Sequence, residues 1–139
     1  MFLVNSCSDI CFVVKTLSQY MAKPHHIHWI GAKNLMRYLQ GIITHGLRYT
    51  IIDVRLHGYS NVDWAGSVVD RKSTSGCYFS LGPASISWMS RKQKSIALSI
   101  IEAEYIVFSM SSCEATWLRN LFSEFFGHVL DTNVILCDN

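Results

Sequence analysis

Four positions in this chain carry side-chain oxygens suited to a hard cation: Asn61, Asp63, Glu104 and Asp138. Asn61 and Asp63 sit two residues apart in a β-rich run, so a strand there points both to one face. Glu104 falls in the first turns of the most strongly periodic helical segment. Glu102, two positions earlier, points to nearly the opposite side of that helix. Asp138 ends a short apolar run that reads as a strand. Acids converging at strand ends beneath a helix glutamate bind divalent cations through oxygen. Two such ions about 4 Å apart activate a water and stabilise the leaving oxygen in phosphodiester hydrolysis. On spacing alone, the plain alternative is a set of separate solvated acids at element ends.

Those positions depend on the elements around them. Asp9–Met21 reads as a helix with Asp9 as its cap and Ile10, Val13, Val14, Leu17 and Tyr20 on one face. Lys23-Pro24 interrupts it. His25–Gly41 reads as a second amphipathic helix, with Ile27, Ile30, Leu35, Tyr38 and Leu39 as its apolar side, so the two form a helical hairpin. Strand signals follow at Leu47–Ile52, Leu56–Trp64, Gly76–Leu81 and Ser85–Ser90, with a polar, turn-like Arg71–Gly76 and a Gly82-Pro83 turn. The last three predict an antiparallel meander. Ser99–Phe126 is the strongest helix. Its expected apolar stripe is Ile101, Tyr105, Phe108, Ser112, Ala115, Phe122 and Phe125, with Leu118 beside it and Gly127 as the stop. Val134–Cys137 is a final strand. Three strands, a helix and a strand predict a mixed sheet with the long helix on one face.

The chain has 139 residues, half of them hydrophobic, with 16% charged residues and a formal net charge of +2. That suffices for one modest domain or parts of two. Between Arg55 and Ser95, Arg55, Arg71, Lys72, Arg91, Lys92 and Lys94 outnumber Asp63 and Asp70, a local balance of about +4 that suits either a phosphate-binding surface or ordinary solvated turns. Ser73, Thr74 and Ser75 beside Arg71 and Lys72 can donate to phosphates, or form a simple polar turn. Trp64 and Trp88 suit either stacking on a nucleic-acid strand or core packing. Cys7, Cys11, Cys77, Cys113 and Cys137 are odd in number with no Cys-x-x-Cys pair, which indicates free thiols in a reducing compartment. His25, His26 and His28 lack a partnering Cys or acid pair at zinc-ligand spacing and read as a solvated helix start. No apolar run is long enough for a membrane span and no secretory signal is expected. A phosphate-cradling glycine loop is also missing.

The wording of several segments is more specific than their spacing. Gly58-Tyr59-Ser60-Asn61-Val62-Asp63-Trp64-Ala65-Gly66 resembles the first-strand motif of copia-type retrotransposon ribonuclease H domains. Asp70-Arg71-Lys72-Ser73-Thr74-Ser75-Gly76, Ile86-Ser87-Trp88 and Lys92-Gln93 follow in the same order. Glu102-Ala103-Glu104-Tyr105 with Trp117-Leu118 resembles the family's helix, and Cys137-Asp138-Asn139 its next carboxylate-bearing strand. Upstream, Asp9-Ile10, Leu17-Ser18, His28-Trp29, Arg37-Tyr38-Leu39 and Gly46-Leu47 resemble the connection between reverse transcriptase and ribonuclease H in these Pol polyproteins.

The resemblance implies an α/β fold: a ribonuclease H-like mixed sheet with a flanking helix, incomplete at its C-terminus and preceded by a helical hairpin. Residues 1–52 would be the connection and 53–139 the partial ribonuclease H-like domain. The implied activity is hydrolysis of RNA in RNA–DNA hybrids with Mg2+ or Mn2+. Its carboxylate positions fall on Asn61, Glu104 and Asp138, with a fourth beyond Asn139. Asn61 departs from the family, which has Asp there: an amide oxygen can touch Mg2+ but supplies no charge to hold it. Asp63 is the substitute ligand, but it lies about 6.6 Å further along the strand, and misplacement by about 1 Å can cost roughly a hundredfold. Hydrolysis is therefore expected to be impaired or lost. Arg71, Lys72, Ser73, Arg91, Lys92 and Lys94 are the expected nucleic-acid contacts. The expected partners are an RNA–DNA hybrid or other nucleic acid and the remainder of a Pol polyprotein, with no membrane, in the cytoplasm or nucleus. The alternatives are a non-catalytic nucleic-acid-binding module and a non-functional transposon remnant.

Overall fold

The computed structural model describes residues 2–49, 55–127 and 134–137, with the side chains of residues 2 and 3 left aside. The chain divides into two compact units, Met1–Leu47 and Arg48–Asn139. The division falls a few residues ahead of the boundary expected from sequence.

The first unit is helical. Helix α1 spans Phe2–Ser6, a 3-10 turn spans Ser8–Ile10, α2 spans Cys11–Ser18 and α3 spans His26–Gly41. The first expected helix is thus shorter than its periodic pattern. Asp9 does not cap it: Asp9 lies inside the 3-10 turn, and its carboxylate accepts hydrogen bonds from Ser8 Oγ at 3.1 Å and Tyr38 Oη at 3.0 Å. That bond to Asp9, foremost, raises the pKa of the Tyr38 phenol. Gly31 lets α3 approach α2, because a Cβ there would stand 3.2 Å from Leu17 Cδ2. The expected apolar side of α3 is not buried: Ile27, Ile30 and Tyr38 are exposed. His25 and His28 close the helix start reciprocally, with His25 N–H donating to His28 Nδ1 at 2.9 Å.

The second unit is a mixed four-stranded sheet with one long helix. Strands β1 (Leu56–Asp63), β2 (Thr74–Leu81) and β3 (Ala84–Lys92) form the expected antiparallel meander, and β4 (Val134–Cys137) pairs parallel to β1. The sheet order is β3-β2-β1-β4. This α/β arrangement is consistent with the expected ribonuclease H-like architecture. Strand β2 begins earlier than the polar Arg71–Gly76 segment suggested, because Thr74, Ser75 and Gly76 pair with Asp63, Val62 and Asn61. Of the expected strand Leu47–Ile52, Leu47, Arg48 and Tyr49 have no regular structure and the rest lies outside the described residues.

Helix α4 (Ile100–Phe126) covers one face of the sheet. It starts at Ser99, whose Oγ accepts the Glu102 amide, and stops at Gly127 in the left-handed region. Its buried face matches the expected stripe only at Ala115 and Leu118. Ala103, Val107, Ser111, Ala115 and Leu118 are buried, whereas Ile101, Tyr105, Phe108 and Phe125 are exposed, with Tyr105 71% and Phe125 77% accessible. Small side chains at i, i+4 spacing let the helix backbone lie close to the sheet, and the bulkier residues are left on the outer flanks. Leu56, Cys77 and Phe79 of the sheet pack with Ala115 and Leu118 of α4 as the core of this unit. A Cβ on Gly58 would stand 2.7 Å from Phe79 Cε1, so the glycine makes room for that ring. No helix among the described residues is long and apolar enough to cross a membrane.

Candidate functional site

Strand β1 alternates its side chains across the sheet. Leu56, Gly58 and Ser60 are buried, while Tyr59, Asn61 and Asp63 are exposed. Near its C-terminal end, Ser60, Asn61 and Val62 line a cavity of about 350 Å3 together with Ile101, Glu104, Tyr105, Val107 and Phe108 of α4 and Cys137 of β4. Two positions distant in sequence, Asn61 and Glu104, therefore border one cavity. Asp138 lies outside the described residues, but its neighbour Cys137 stands on the cavity wall. Cys137 pairs with Ser60 in the parallel register, with its Sγ 3.2 Å from Ser60 Oγ.

Several side chains fix this geometry. Glu102 and Glu104, two positions apart in the helix motif, have separate tasks: Glu102 Oε2 accepts the Leu98 N–H at 2.7 Å and closes the helix start, leaving Glu104 on the cavity. Gln93 is buried, and its Nε2 donates to Ser75 Oγ at 3.0 Å and to the Ala103 carbonyl at 3.1 Å. It thereby ties the end of β3 to β2 and to the turn of α4 that carries Glu104. Ser87 Oγ donates to Glu114 Oε1 at 2.7 Å further along the same helix. Sequence reading placed Gln93 and Ser87 within the resembling motifs but gave neither a role. The Ser99-x-x-Glu102 spacing was the available signal for the helix start.

Asp63 does not line this cavity. Its carboxylate lies against Gly66, where any Cβ would overlap Asp63 Oδ2. Glycine at 66 therefore makes space for Asp63 within the β1–β2 connection. Among the described residues, no group of three or more His, Cys, Asp or Glu is arranged to hold a metal ion. One neutral amide and one carboxylate are a poor donor set for a pair of divalent cations, which need several anionic oxygens to offset phosphate repulsion. The described residues do not fit the implied metal pair.

The expected nucleic-acid contacts divide in two. Arg71, Arg91 and Lys94 are exposed. Ser73 is fully buried and is not a surface phosphate contact: its Oγ accepts the Ala65 N–H at 3.1 Å and its carbonyl accepts the Gln93 N–H at 2.8 Å. Ser75 is likewise fully buried. The Lys92 ammonium is engaged within the loop, 2.9 Å from Asp70 Oδ1 and 2.8 Å from Ser67 Oγ. Hydrogen bonds from Ser67 and then Lys92 hold the Asp70 carboxyl down to about 2, against a smaller opposing effect of desolvation. Trp64 is exposed, with its indole N–H 3.4 Å from the Ala97 carbonyl.

Known proteins place the chain in context. No family model matches it. No solved structure matches it either. It is 44% identical over 117 residues to "Secreted RxLR effector protein 161" of Plasmopara viticola, covering 84% of this chain and 82% of that protein. It is 39% identical over 139 residues to the "Retrovirus-related Pol polyprotein from transposon RE2" of Arabidopsis thaliana, covering 99% of this chain and 10% of the polyprotein. It is 36% identical over 137 residues to the corresponding polyprotein from transposon TNT 1-94 of Nicotiana tabacum, again over 99% of this chain and 10% of the relative. The chain thus spans about a tenth of the length of these polyproteins, and by its sequence it belongs to the copia-type family of retrovirus-related Pol polyproteins from transposons.

Proposed function

We propose that residues 53–139 are the ribonuclease H-type segment of a retrotransposon Pol polyprotein, engaging RNA–DNA hybrids without hydrolysing them at a useful rate. The observation that carries this reading is the pairing of Asn61 with Glu104 on one cavity. The position is where the resemblance calls for a carboxylate-bound metal, and the residue there is neutral. The exposed cations Arg71, Arg91 and Lys94 supply backbone contacts, which hold a duplex by charge and shape without reading its sequence.

The test uses the whole chain with a labelled RNA–DNA hybrid. Binding is expected to weaken steeply with salt and to persist with EDTA present, without cleavage on adding Mg2+. Arg91→Ala should flatten the log–log salt slope by about one. Asn61→Asp should raise Mg2+ affinity, read by calorimetry, because it adds a second carboxylate at the cavity. Mg2+-dependent cleavage by the parent chain that Glu104→Gln abolishes would overturn the loss of hydrolysis. Equal affinity for hybrid at low and high salt would overturn the backbone-binding role.

A further inference from the structure

The sheet face opposite α4 carries a row of aromatic rings. Tyr59 pairs with Tyr78, and Tyr78 with Trp88, so three adjacent strands place an aromatic residue at one register level. The Tyr59 and Tyr78 rings stand 6.1 Å apart at an interplanar angle of 53°. Tyr59 is 45% exposed. The next level holds Asn61, Gly76 and Ser90, in register with one another. Gly76 has no side chain there: a Cβ on it would meet only the Asn61 and Met89 carbonyl oxygens, at 3.7 and 3.9 Å. The result is a shallow recess of about 510 Å3 bordered by Tyr59, Tyr78, Asn61, Gly76 and Leu136. Asn61 borders both this recess and the cavity that holds Glu104.

We propose that this recess binds an unpaired nucleobase of single-stranded nucleic acid, stacked on Tyr59 or Tyr78, with the Asn61 amide reading its edge. The chemistry of the surface selects this occupant. A docking helix asks for aliphatic ridges, but the level beside the rings is an amide, a glycine and a hydroxyl. A nucleobase asks for a flat ring to stack on and for a donor–acceptor pair at its edge. An asparagine amide supplies that pair on one planar group, matching the adjacent donor and acceptor of adenine. Lys92 stands on this face at the end of β3, two levels beyond Trp88, but its ammonium is held by Asp70 and Ser67, so the binding proposed here rests on stacking and on the amide and not on that charge. Asp63, the carboxylate of β1 on the same face, is folded against Gly66. The neutral residue that weakens position 61 as a metal ligand suits it to base reading. The proposal concerns the opposite face of the sheet and does not depend on hybrid binding.

Single-stranded oligonucleotides of equal length, one base-bearing and one abasic, separate stacking from charge. The parent chain is expected to bind an oligoadenylate at least fivefold more tightly than the abasic strand. Tyr59→Leu and Tyr78→Leu, which keep an apolar residue in the strand, should each remove most of that ratio while leaving affinity for RNA–DNA hybrid unchanged. Asn61→Leu should reduce the preference for oligoadenylate over oligouridylate. Equal affinity for base-bearing and abasic strands overturns the proposal. So does a Tyr59→Leu chain that keeps its melting temperature and its full base preference. Binding of an amphipathic helical peptide or of a second copy at this face, relieved by Tyr59→Leu with no change in oligonucleotide affinity, also overturns it. A loss of hybrid binding in Arg91→Ala with base preference intact would bear on the hybrid reading alone.

Discussion

Single residues in the β1–β2 connection explain why its basic side chains are not equivalent. Ala65 and Arg71 both adopt positive φ, at 51° and 54°, a conformation uncommon outside glycine. The loop is pinned against that cost by Lys92, which bridges Asp70 and Ser67. The Ser67 and Lys92 hydrogen bonds lower the Asp70 pKa to about 2. A carboxyl whose folded value lies below its unfolded value of about 3.9 stabilises the fold above that unfolded value. That contribution fades as pH falls through the window from about 4 to about 2. Asp70→Asn is therefore expected to lower the denaturant midpoint at neutral pH, with the gap to the parent closing across that acid window. The pair is partly exposed, so added salt should also shrink the gap. A gap that stays constant from pH 7 to pH 2 would contradict the assignment. Arg71, whose guanidinium is exposed on the same loop, has no part in the bridge, and Arg71→Ala should leave this pH profile unchanged.

At the scale of elements, α4 positions the candidate site and its start is held by a local exchange of hydrogen bonds. Ser99 Oγ accepts the Glu102 N–H at 3.2 Å, and Glu102 returns a bond to the Leu98 N–H. Ser99→Ala should cost about 1 kcal/mol and fray the turn that carries Glu104. Faster amide exchange at residues 101–104, with residues 111–118 unaffected, would be the signature; uniform acceleration along the helix would refute a local cap. The limits of α4 were legible in sequence because Ser99 and Gly127 act through neighbouring backbone. Its buried face was not. Ala115 and Leu118 were the exceptions: elsewhere periodicity weights large apolar residues such as Tyr105 and Phe108, whereas contact with the sheet selected Ala103 and Ser111, whose size matters more than their hydropathy. The same contrast explains Ser73, which reads as a phosphate donor by type but is buried by the turn it closes. The place of Asn61 on β1 was legible, since the β-rich run around it marks the strand. The aromatic row was not, because Tyr59, Tyr78 and Trp88 are remote in sequence and only the sheet register aligns them.

For the molecule as a whole, stability of the sheet unit concentrates in one side chain. Its core cluster consists of Leu56, Cys77, Phe79, Ala115 and Leu118, and Phe79 is the largest side chain among the fully buried residues. Phe79 reaches across β1 at Gly58 while lying under α4, so it joins both layers of the unit. Small domains hold only about 5–15 kcal/mol of net stability, and removing a buried Phe to Ala typically costs about 3–5 kcal/mol. Phe79→Ala should therefore bring the sheet unit close to unfolding at ambient temperature. Phe79→Leu, which leaves a smaller void, should lower the midpoint by less. Tryptophan fluorescence reports on this unit through Trp64, Trp88 and Trp117, with Trp29 as the reporter from the helical unit. The expected result is a large fall in the denaturant midpoint for Phe79→Ala and an intermediate one for Phe79→Leu. Gly58→Ala should fall in the same direction, because its methyl group would press on the Phe79 ring. If Phe79→Ala unfolded at the parent's midpoint, the packing of α4 on β1 and β2 would not be what holds Asn61 and Glu104 at one cavity, and the candidate site would lose its scaffold.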